Sequence, residues 1–507
     1  MLKVLIGSAV ALALAAAPAG AAWHKVSSAH FVIYADGQPD KLRAFATRLE
    51  RFDKAVRQVR GMADPAIGDG NRLTVFVVPT AVEVRKLAAN VGQMSPNIAG
   101  FYVGGAEGSI AVVPKRSGDS DKTDLEDQST FFHEYAHHLM YFDLSTPTPL
   151  WYSEGFAEFM STATFGKDGS VVLGRAALGR AMDVDDSRTF PLERMLSGNY
   201  GTLTEAQWDA LYARSWLLTH FLTFEPTRKG QIQRYLADIA VGKDSLVAAK
   251  AAFGDFALLD RNLHGYLGRS RMSAVKVAAT ALQVGPIAVE PMSAGGAEII
   301  ALRSRVKIGV PKQEQAALAQ AVRAVAGRYP ADPLVQVTLA ESDYAVRDYA
   351  AAEAAADRAL AVSPKSVEAM IYKGRAILAL AADDVKGKTF ADARSWFLKA
   401  NKVDSEDPEP LMYYHQAYTR DSGRPTANAI AALHYASQLA PQDHGLRMQS
   451  AYQSLRDGKL ADARKVLVPI AFDPHGRGYA KVAQAAIARI DAADAKGAQK
   501  AMESSGN

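Results

Sequence analysis

Residues 131–160 constrain this chain most, because they join a metal-binding pattern to a fixed local geometry. They read FFHEYAHHLMYFDLSTPTPLWYSEGFAEFM. His133 and His137 are four residues apart, so on a helix they lie on one face about 5–6 Å apart and can bind one ion. Zinc takes neutral imidazole readily, and a catalytic zinc site needs three protein ligands plus a water. The pattern predicts a zinc site in which Glu134 accepts a proton from that water as general base.

The second half of the stretch supplies a candidate for the third ligand. Pro147 and Pro149 end any helix that continues from the histidines, which leaves room for a loop and a second helix. Glu154 would lie in the first turn of that helix, where a carboxylate also suits the helix dipole. Glu158, one turn further on, is predicted to orient a ligand histidine from behind. The alternative is an ordinary amphipathic helix with surface charges.

Residues 151–158 form the pattern W-x-x-E-G-x-A-E, which resembles the third-ligand helix of the gluzincins. These are zinc metallopeptidases whose third ligand is a glutamate, and the closest match is to the peptidase MA-like family. The resemblance implies a hydrolase that acts on peptide bonds. It implies zinc (Zn2+) bound by His133, His137 and Glu154, with Glu134 as the catalytic base.

The resemblance also implies a residue on a later helix that stabilises the oxyanion formed as water attacks. Tyr212 is the first candidate, because family members carry a tyrosine shortly before a Ser-Trp pair, here Ser215-Trp216. His220 is a second candidate on the same predicted helix. The alternative for both residues is a place in the core with satisfied polar atoms.

Two further expectations concern the segment before the metal helix. In the family, an edge strand there pairs with the substrate backbone, and residues 109–113 are the candidate here, with a plain core strand as the alternative. Glu107 could hold a free substrate amino terminus, although the local residues do not spell out the aminopeptidase motif. His138 lies outside the metal motif and is predicted to be an exposed or hydrogen-bonded bystander.

Residues 22–270 are predicted to form an α+β gluzincin-like metallopeptidase domain, with a small mixed sheet followed by helices. Short apolar runs at 29–35, 72–78 and 109–113 are typical of strands, and residues 39–59 have helical spacing. Residues 271–310 contain prolines and a glycine pair and show no clean helical period, so they are predicted to be a strand-bearing linker.

An approximate repeat occupies the C-terminal part of the chain. Prolines at 330, 364, 408, 441 and 474 are 34, 44, 33 and 33 residues apart, and Ala-rich helical pairs precede them. This period resembles that of tetratricopeptide (TPR) repeats, which implies an all-α solenoid over 311–490 that binds a protein or peptide partner. A non-repeat helical bundle is the alternative. Residues 491–507 are predicted to be a disordered tail.

Residues 1–21 have the order of a cleavable signal peptide, with Lys3 followed by an apolar run and a small-residue cleavage site. The expected location is therefore periplasmic or extracellular, and an uncleaved membrane anchor is the alternative. No later run is long enough to span a membrane. The formal net charge of +4 is too small to suggest nucleic acid, and the chain has no cysteine for disulfides or thiolate metal sites.

Two functions of different classes fit these observations. The first is an exported zinc peptidase whose repeats recruit a substrate or partner. The second is a catalytically silent metallopeptidase-fold scaffold that acts as a protein-interaction module. Cleavage of peptides would favour the first hypothesis, and partner capture without turnover would favour the second.

Overall fold

The computed structural model describes residues 22–92, 100–115, 129–142, 148–177, 190–198, 200–421, 424–473 and 477–503. The fold is mixed α+β, with a small mixed sheet followed by many helices. The predicted signal peptide at 1–21 lies outside the described residues. Within the described part of the chain, no helix is both long and apolar enough to cross a membrane.

Two sheets lie among the described residues. Their strands are Trp23–Ser27 (β1), Phe31–Asp36 (β2), Leu73–Val78 (β3), Phe101–Val103 (β4), Ile110–Pro114 (β5), Thr164–Phe165 (β6), Val171–Leu173 (β7), Val275–Val277 (β8) and Ala288–Pro291 (β9). A six-stranded mixed sheet, in the order β4-β5-β3-β2-β1-β9, organises the N-terminal half. The β2–β3 and β3–β5 pairs are parallel and the other neighbours are antiparallel. The second sheet has the order β6-β7-β8.

Nine helices accompany these strands among the described residues of the N-terminal half. The longest of them begins with a proline in its first turn and ends at Gly61, whose φ of 66° suits a left-handed cap. They are Pro39–Arg60 (α1), Ala81–Asn90 (α2), Ser129–Phe142 (α3), Leu150–Ser161 (α4), Leu192–Ser197 (α5), Glu205–Phe224 (α6), Gln231–Ala240 (α7), Ser245–Phe253 (α8) and Phe256–Leu267 (α9).

Helices cover both faces of the large sheet, which explains why its central strands are apolar at nearly every position. On β2, Phe31 and Ile33 pack into the main core with α1, α3, α4 and α6. Val32 and Tyr34 point the other way and pack with α2 and with Ile300 from a later helix. The metal-motif helices therefore rest on a sheet that is buried on both sides.

The C-terminal half of the described chain consists of helices that pack on their neighbours in sequence. From α12 to α18, seven successive helices begin with an Asp, Ser or Thr side chain that accepts a backbone N–H, which marks each start. The helices are Ala294–Ile308 (α10), Lys312–Arg328 (α11), Pro333–Ala345 (α12), Tyr349–Val362 (α13), Val367–Ala382 (α14), Phe390–Val403 (α15), Pro408–Arg420 (α16), Ala427–Leu439 (α17), His444–Arg456 (α18), Leu460–Ala471 (α19), Arg477–Asp491 (α20) and Ala495–Glu503 (α21).

Residues 271–310, predicted to be a strand-bearing linker, do contain strands, but they also contain a helix that the sequence pattern did not predict. The strands β8 and β9 complete the two sheets, and 294–308 is the helix α10. A Cβ on Gly295 would lie 2.8 Å from the Tyr329 ring, so this glycine permits close packing at the start of α10. The sequence suggested a linker because it does not distinguish a glycine that is needed for close packing from a glycine in a flexible segment.

The predicted disordered tail also differs from the structure over 495–503, which form α21. Ala498 is fully buried in a hydrophobic cluster that includes Ala483 and Ala486 as well as larger residues such as Leu455 and Leu467. Alanine side chains are small, so helices can pack closely where they meet. The Ala-rich composition of residues 491–507 alone is typical of a disordered terminus, which is why the sequence did not predict this helix. Residues 504–507 lie outside the described part of the chain.

Candidate metal centre

The structure brings the three predicted metal ligands together. The Nε2 atoms of His133 and His137 lie 3.2 Å apart, and Glu154 Oε2 lies 3.3 Å from the first and 3.4 Å from the second. Zinc–ligand bonds of about 2.0–2.1 Å at tetrahedral angles separate neighbouring ligand atoms by about 3.3 Å. The three donor atoms therefore already have the spacing of one face of a tetrahedral metal site.

Two adjacent helices position these donors as the sequence predicted, with one difference. His133 and His137 lie on α3, and α4 starts directly after Pro149, whose carbonyl accepts the first backbone N–H bonds of the helix. Glu154 is the fifth residue of α4, so it lies at the start of the second turn and not in the first. At this position in the second turn, the Glu154 carboxylate lies beside α3 and is fully buried.

Gly155 lets α4 approach α6 closely. A Cβ at this position would lie 2.3 Å from both the carbonyl oxygen of Ser215 and the hydroxyl of Thr219. Such contacts are impossible without a shift of one helix. The same close approach brings Tyr212 of α6 to the site, with its ring centroid 6.1 Å from that of His133. The glycine of the sequence pattern thus has a packing role that joins the ligand helix to the helix of the predicted oxyanion residue.

Each ligand histidine has a polar group behind it that can fix its ring. Glu158 Oε1 lies 3.6 Å from Nδ1 of His133, in the place predicted for an orienting carboxylate. Ser153 Oγ is hydrogen-bonded to Nδ1 of His137 at 3.1 Å. Each Nδ1 thus has a polar neighbour, and the Nε2 atoms of both histidines face the carboxylate of Glu154, where an ion could bind. Sequence reasoning missed the role of Ser153, because a serine within a helix has no distinctive pattern.

The local charges favour a cation at this position. Burial lowers the pKa of the His133 imidazole, but Glu154, Glu158 and Glu134 together raise it above the ordinary value. Glu134 itself is only partly buried, so it can face a water molecule at the site. Carboxylates therefore surround the histidine pair, and a divalent cation would relieve their mutual repulsion.

His220 lies in the core, which is the alternative that the sequence left open. It is fully buried, with Nδ1 bonded to the Tyr266 hydroxyl at 2.9 Å and Nε2 3.0 Å from the Gly174 carbonyl oxygen. Burial lowers its pKa, so the ring is neutral at physiological pH. Because both nitrogens are engaged in the interior, His220 is not suited to bind a reaction intermediate.

His138 is a buried and hydrogen-bonded bystander. Its Nδ1 lies 2.7 Å from the hydroxyl of Tyr102, and its ring stacks on Tyr135. Burial lowers the pKa of His138 to about 3, which keeps it neutral. The contact ties α3 to β4, the strand that carries Tyr102.

For the segment before α3, the structure agrees with the core-strand alternative for residues 109–113 and gives Glu107 partners within the chain. β5, which holds most of residues 109–113, pairs with β3 and β4 and is an interior strand, while β4 is the outermost strand of the described sheet on this side. The carboxylate of Glu107 is not placed to bind a substrate amino terminus, because it is paired within the chain. Its Oε2 lies 3.2 Å from Arg375, and Oε1 accepts a hydrogen bond from Tyr413. Sequence reasoning could not foresee these partners, which lie more than 260 residues away.

A second group of possible donors is already neutralised by basic side chains. Nε2 of His30 lies 3.0 Å from Asp64, and its Nδ1 lies 3.6 Å from Asp53. Arg57 donates to Asp53 at 2.8 Å and Lys54 donates to Asp64 at 2.6 Å. With two cations bound to its carboxylates, this cluster is an ion-pair network and not a second metal centre.

No protein-family model matches this chain, and no curated protein matches it either.

Proposed function

We propose that this protein is a gluzincin-like, zinc-dependent peptidase that hydrolyses peptide bonds. The observation that carries the proposal is the 3.2–3.4 Å triangle of two imidazole nitrogens and one carboxylate oxygen. Two imidazoles and one carboxylate are a donor set that zinc uses in catalytic sites, where a fourth position stays open. The orienting groups Glu158 and Ser153 support the same proposal, because metal-bound imidazoles need partners of this kind.

The chain supplies further groups for the reaction. Bound zinc would polarise the substrate carbonyl and lower the pKa of a bound water. Glu134 would take the proton from the attacking water and deliver it to the leaving amine. Tyr212 would donate a hydrogen bond to the oxygen on which negative charge develops. The outer side of β4, the outermost described strand at this end of the sheet, would pair with the substrate backbone, a role that the sequence had suggested for residues 109–113.

The proposal extends to the rest of the chain. The helices that follow position 310 support a tetratricopeptide-like arm, because consecutive capped helices pack in sequence order. Such an arm suits a protein or peptide partner. Residues 1–21 favour export to the periplasm or the extracellular space by a cleavable signal peptide.

Metal removal and restoration would test this function. The purified mature chain is treated with a chelator, and hydrolysis of an unfolded fluorogenic protein substrate is measured before and after zinc is added back. We expect activity to vanish with the metal and to return at one zinc per chain, but not in a His137→Ala variant. A chain that binds one zinc and never cleaves would instead favour the scaffold hypothesis.

A further inference from the structure

Arg375 on α14 forms a carboxylate-binding pocket in the helical arm, which we define as residues 312–503. The guanidinium carbon of this buried arginine lies 4.6 Å from the ring centroids of Tyr344 and Tyr413 and 4.9 Å from that of Tyr372. One guanidinium nitrogen lies 3.2 Å from Glu409. Three aromatic faces around a fixed guanidinium make a rigid cationic site that is matched to an acidic group.

The acidic group in this pocket comes from the N-terminal half of the same chain. The turn 104–108 joins β4 to β5, and its Glu107 carboxylate contacts Arg375 at 3.2 Å and accepts from the Tyr413 hydroxyl. The backbone N–H of Ala106, in the same turn, donates to Asp443 at 2.9 Å. The arm therefore holds this turn by one carboxylate–guanidinium contact and by a hydrogen bond from the turn's backbone.

Further contacts extend the same surface. Gln442 donates to Ser109 at 3.1 Å, and the backbone N–H of Gly70 donates to Asp404 at 3.1 Å. A Cβ on Gly70 would lie 2.4 Å from the Asp407 carboxylate, and one on Gly104 would lie 2.9 Å from Gln442. Because these glycines leave no room for a methyl group, the two halves fit closely together. We call the arm residues Arg375, Asp404, Asp407, Tyr413, Gln442, Asp443 and His444 the docking face.

The docking face also reaches the helix of the metal centre. His444 packs on Tyr141, with ring centroids 5.8 Å apart, and its Nε2 pairs with Asp473 at 2.7 Å. Tyr141 follows His137 by four residues on α3, so it lies on the same helix face about one turn from the metal ligand. The arm therefore borders the metal centre as well as the β4–β5 turn.

We propose that the docking face takes the chain's own catalytic half as its ligand, with Glu107 as the bound carboxylate, and that the docked arm forms one wall of the substrate cleft. The second part rests on the proposed peptidase function. The arm would then limit the cleft to short or unfolded substrates that thread between it and β4. An external acidic partner could use this face only by displacing the 104–108 turn.

Hydrogen–deuterium exchange of the full mature, zinc-loaded chain tests the docking. Glu107→Lys reverses the anchoring charge, and Gly70→Ala removes the close fit at a separate contact. We expect backbone amides of 101–114 to exchange at least about tenfold faster in both variants, because each variant removes a contact that holds the two halves together. Glu290→Lys, at an exposed glutamate on β9, and Gly327→Ala, where a methyl group meets open space, are matched controls and should exchange like the wild type.

Unchanged exchange in both docking variants would overturn the inference. The cleft wall has its own readout, the ratio of kcat/KM for a long unfolded protein to that for a short peptide. This ratio should rise several-fold in the docking variants. A constant ratio despite faster exchange would contradict the proposal that the docked arm forms one wall of the substrate cleft. If the wild type cleaves neither substrate, the peptidase proposal and the wall both fail, while the exchange result still decides whether the arm is docked.

Discussion

Glu158 Oε1 lies 3.6 Å from Nδ1 of His133, so a carboxylate on α4 stands behind a histidine on α3. The opposite nitrogen of the same ring lies 3.3 Å from Glu154. Two carboxylates one helical turn apart thus face the two sides of one imidazole. This arrangement gives separate, testable roles to two acidic residues of the same helix.

Glu158→Gln should weaken zinc binding by about 10–100-fold without abolishing it, because loss of an orienting partner leaves the ligands in place. Competition with a chromogenic zinc chelator would measure the affinity. Glu193→Gln, at an exposed position on α5, is a control that should bind zinc as the wild type does. An affinity of Glu158→Gln equal to that of the wild type would show that the carboxylate does not act on the metal centre.

Gly155→Ala should lower the free energy of unfolding by about 1–3 kcal/mol, since a methyl group 2.3 Å from the Ser215 carbonyl forces α4 and α6 apart. Urea denaturation followed by circular dichroism would measure the change. Gly327→Ala adds the same methyl group to a helix at an open position, and there it should be neutral or slightly stabilising. Equal behaviour of the two variants would contradict the close helix contact.

Tyr212→Phe should lower kcat by about 10²–10³-fold with little change in KM, if its hydroxyl stabilises the oxyanion only in the transition state. Steady-state kinetics on a peptide substrate would show this, with zinc content measured in parallel. Normal zinc binding with a normal kcat would assign Tyr212 to packing against the His133 ring alone.

The ion-pair network under α3 should make stability depend on pH. Burial lowers the pKa of His30, but the contacts with Glu50 and Asp53 raise it above 6.5. Burial raises the pKa of Glu50, but His30 lowers it below 4.5. The His30 contribution is complete below pH 6.5 and is lost as the pH rises through its folded pKa. The Glu50 contribution is present above pH 4.5 and is lost as the pH falls through its folded pKa.

Both contributions are therefore present between pH 4.5 and 6.5. The free energy of unfolding of wild type minus that of His30→Gln should be largest in this window and should shrink at alkaline pH. Urea titrations across the pH range would measure it. A difference that stays constant from acidic to alkaline pH would show that His30 stabilises the fold by packing only.

The proximity of the metal-centre residues could be predicted because it depends on local rules. Four-residue spacing on a helix places His133 and His137 together, and Pro149 starts the next helix so that Glu154 returns to them. Ser153 escaped prediction because a serine in a helix has no distinctive pattern. The role of Gly155 escaped because its partner, α6, lies about 60 residues further along the chain.

Long-range packing decided the features that the sequence did not predict. The sequence left open whether residues 109–113 form an edge or an interior strand, and the pairing of β4 with the outer side of β5 decides for the interior position. Glu107 acquired partners on α14 and α16, and no local rule connects a turn residue to helices so distant in sequence. The sequence did not predict the helix α10 because the pair Gly295-Gly296 is unusual in a helix, and Gly295 is needed there for close packing against Tyr329.

The most direct test of the central claim is to incubate the zinc-loaded mature protein with a diverse peptide mixture and map new ends by mass spectrometry, beside a Glu134→Gln control. We predict cuts in the wild-type sample that are absent with Glu134→Gln, although both proteins bind one zinc. Their positions would also separate internal from terminal cleavage. Zinc bound one to one with no cuts in either sample, or the same cuts in both, would contradict the account.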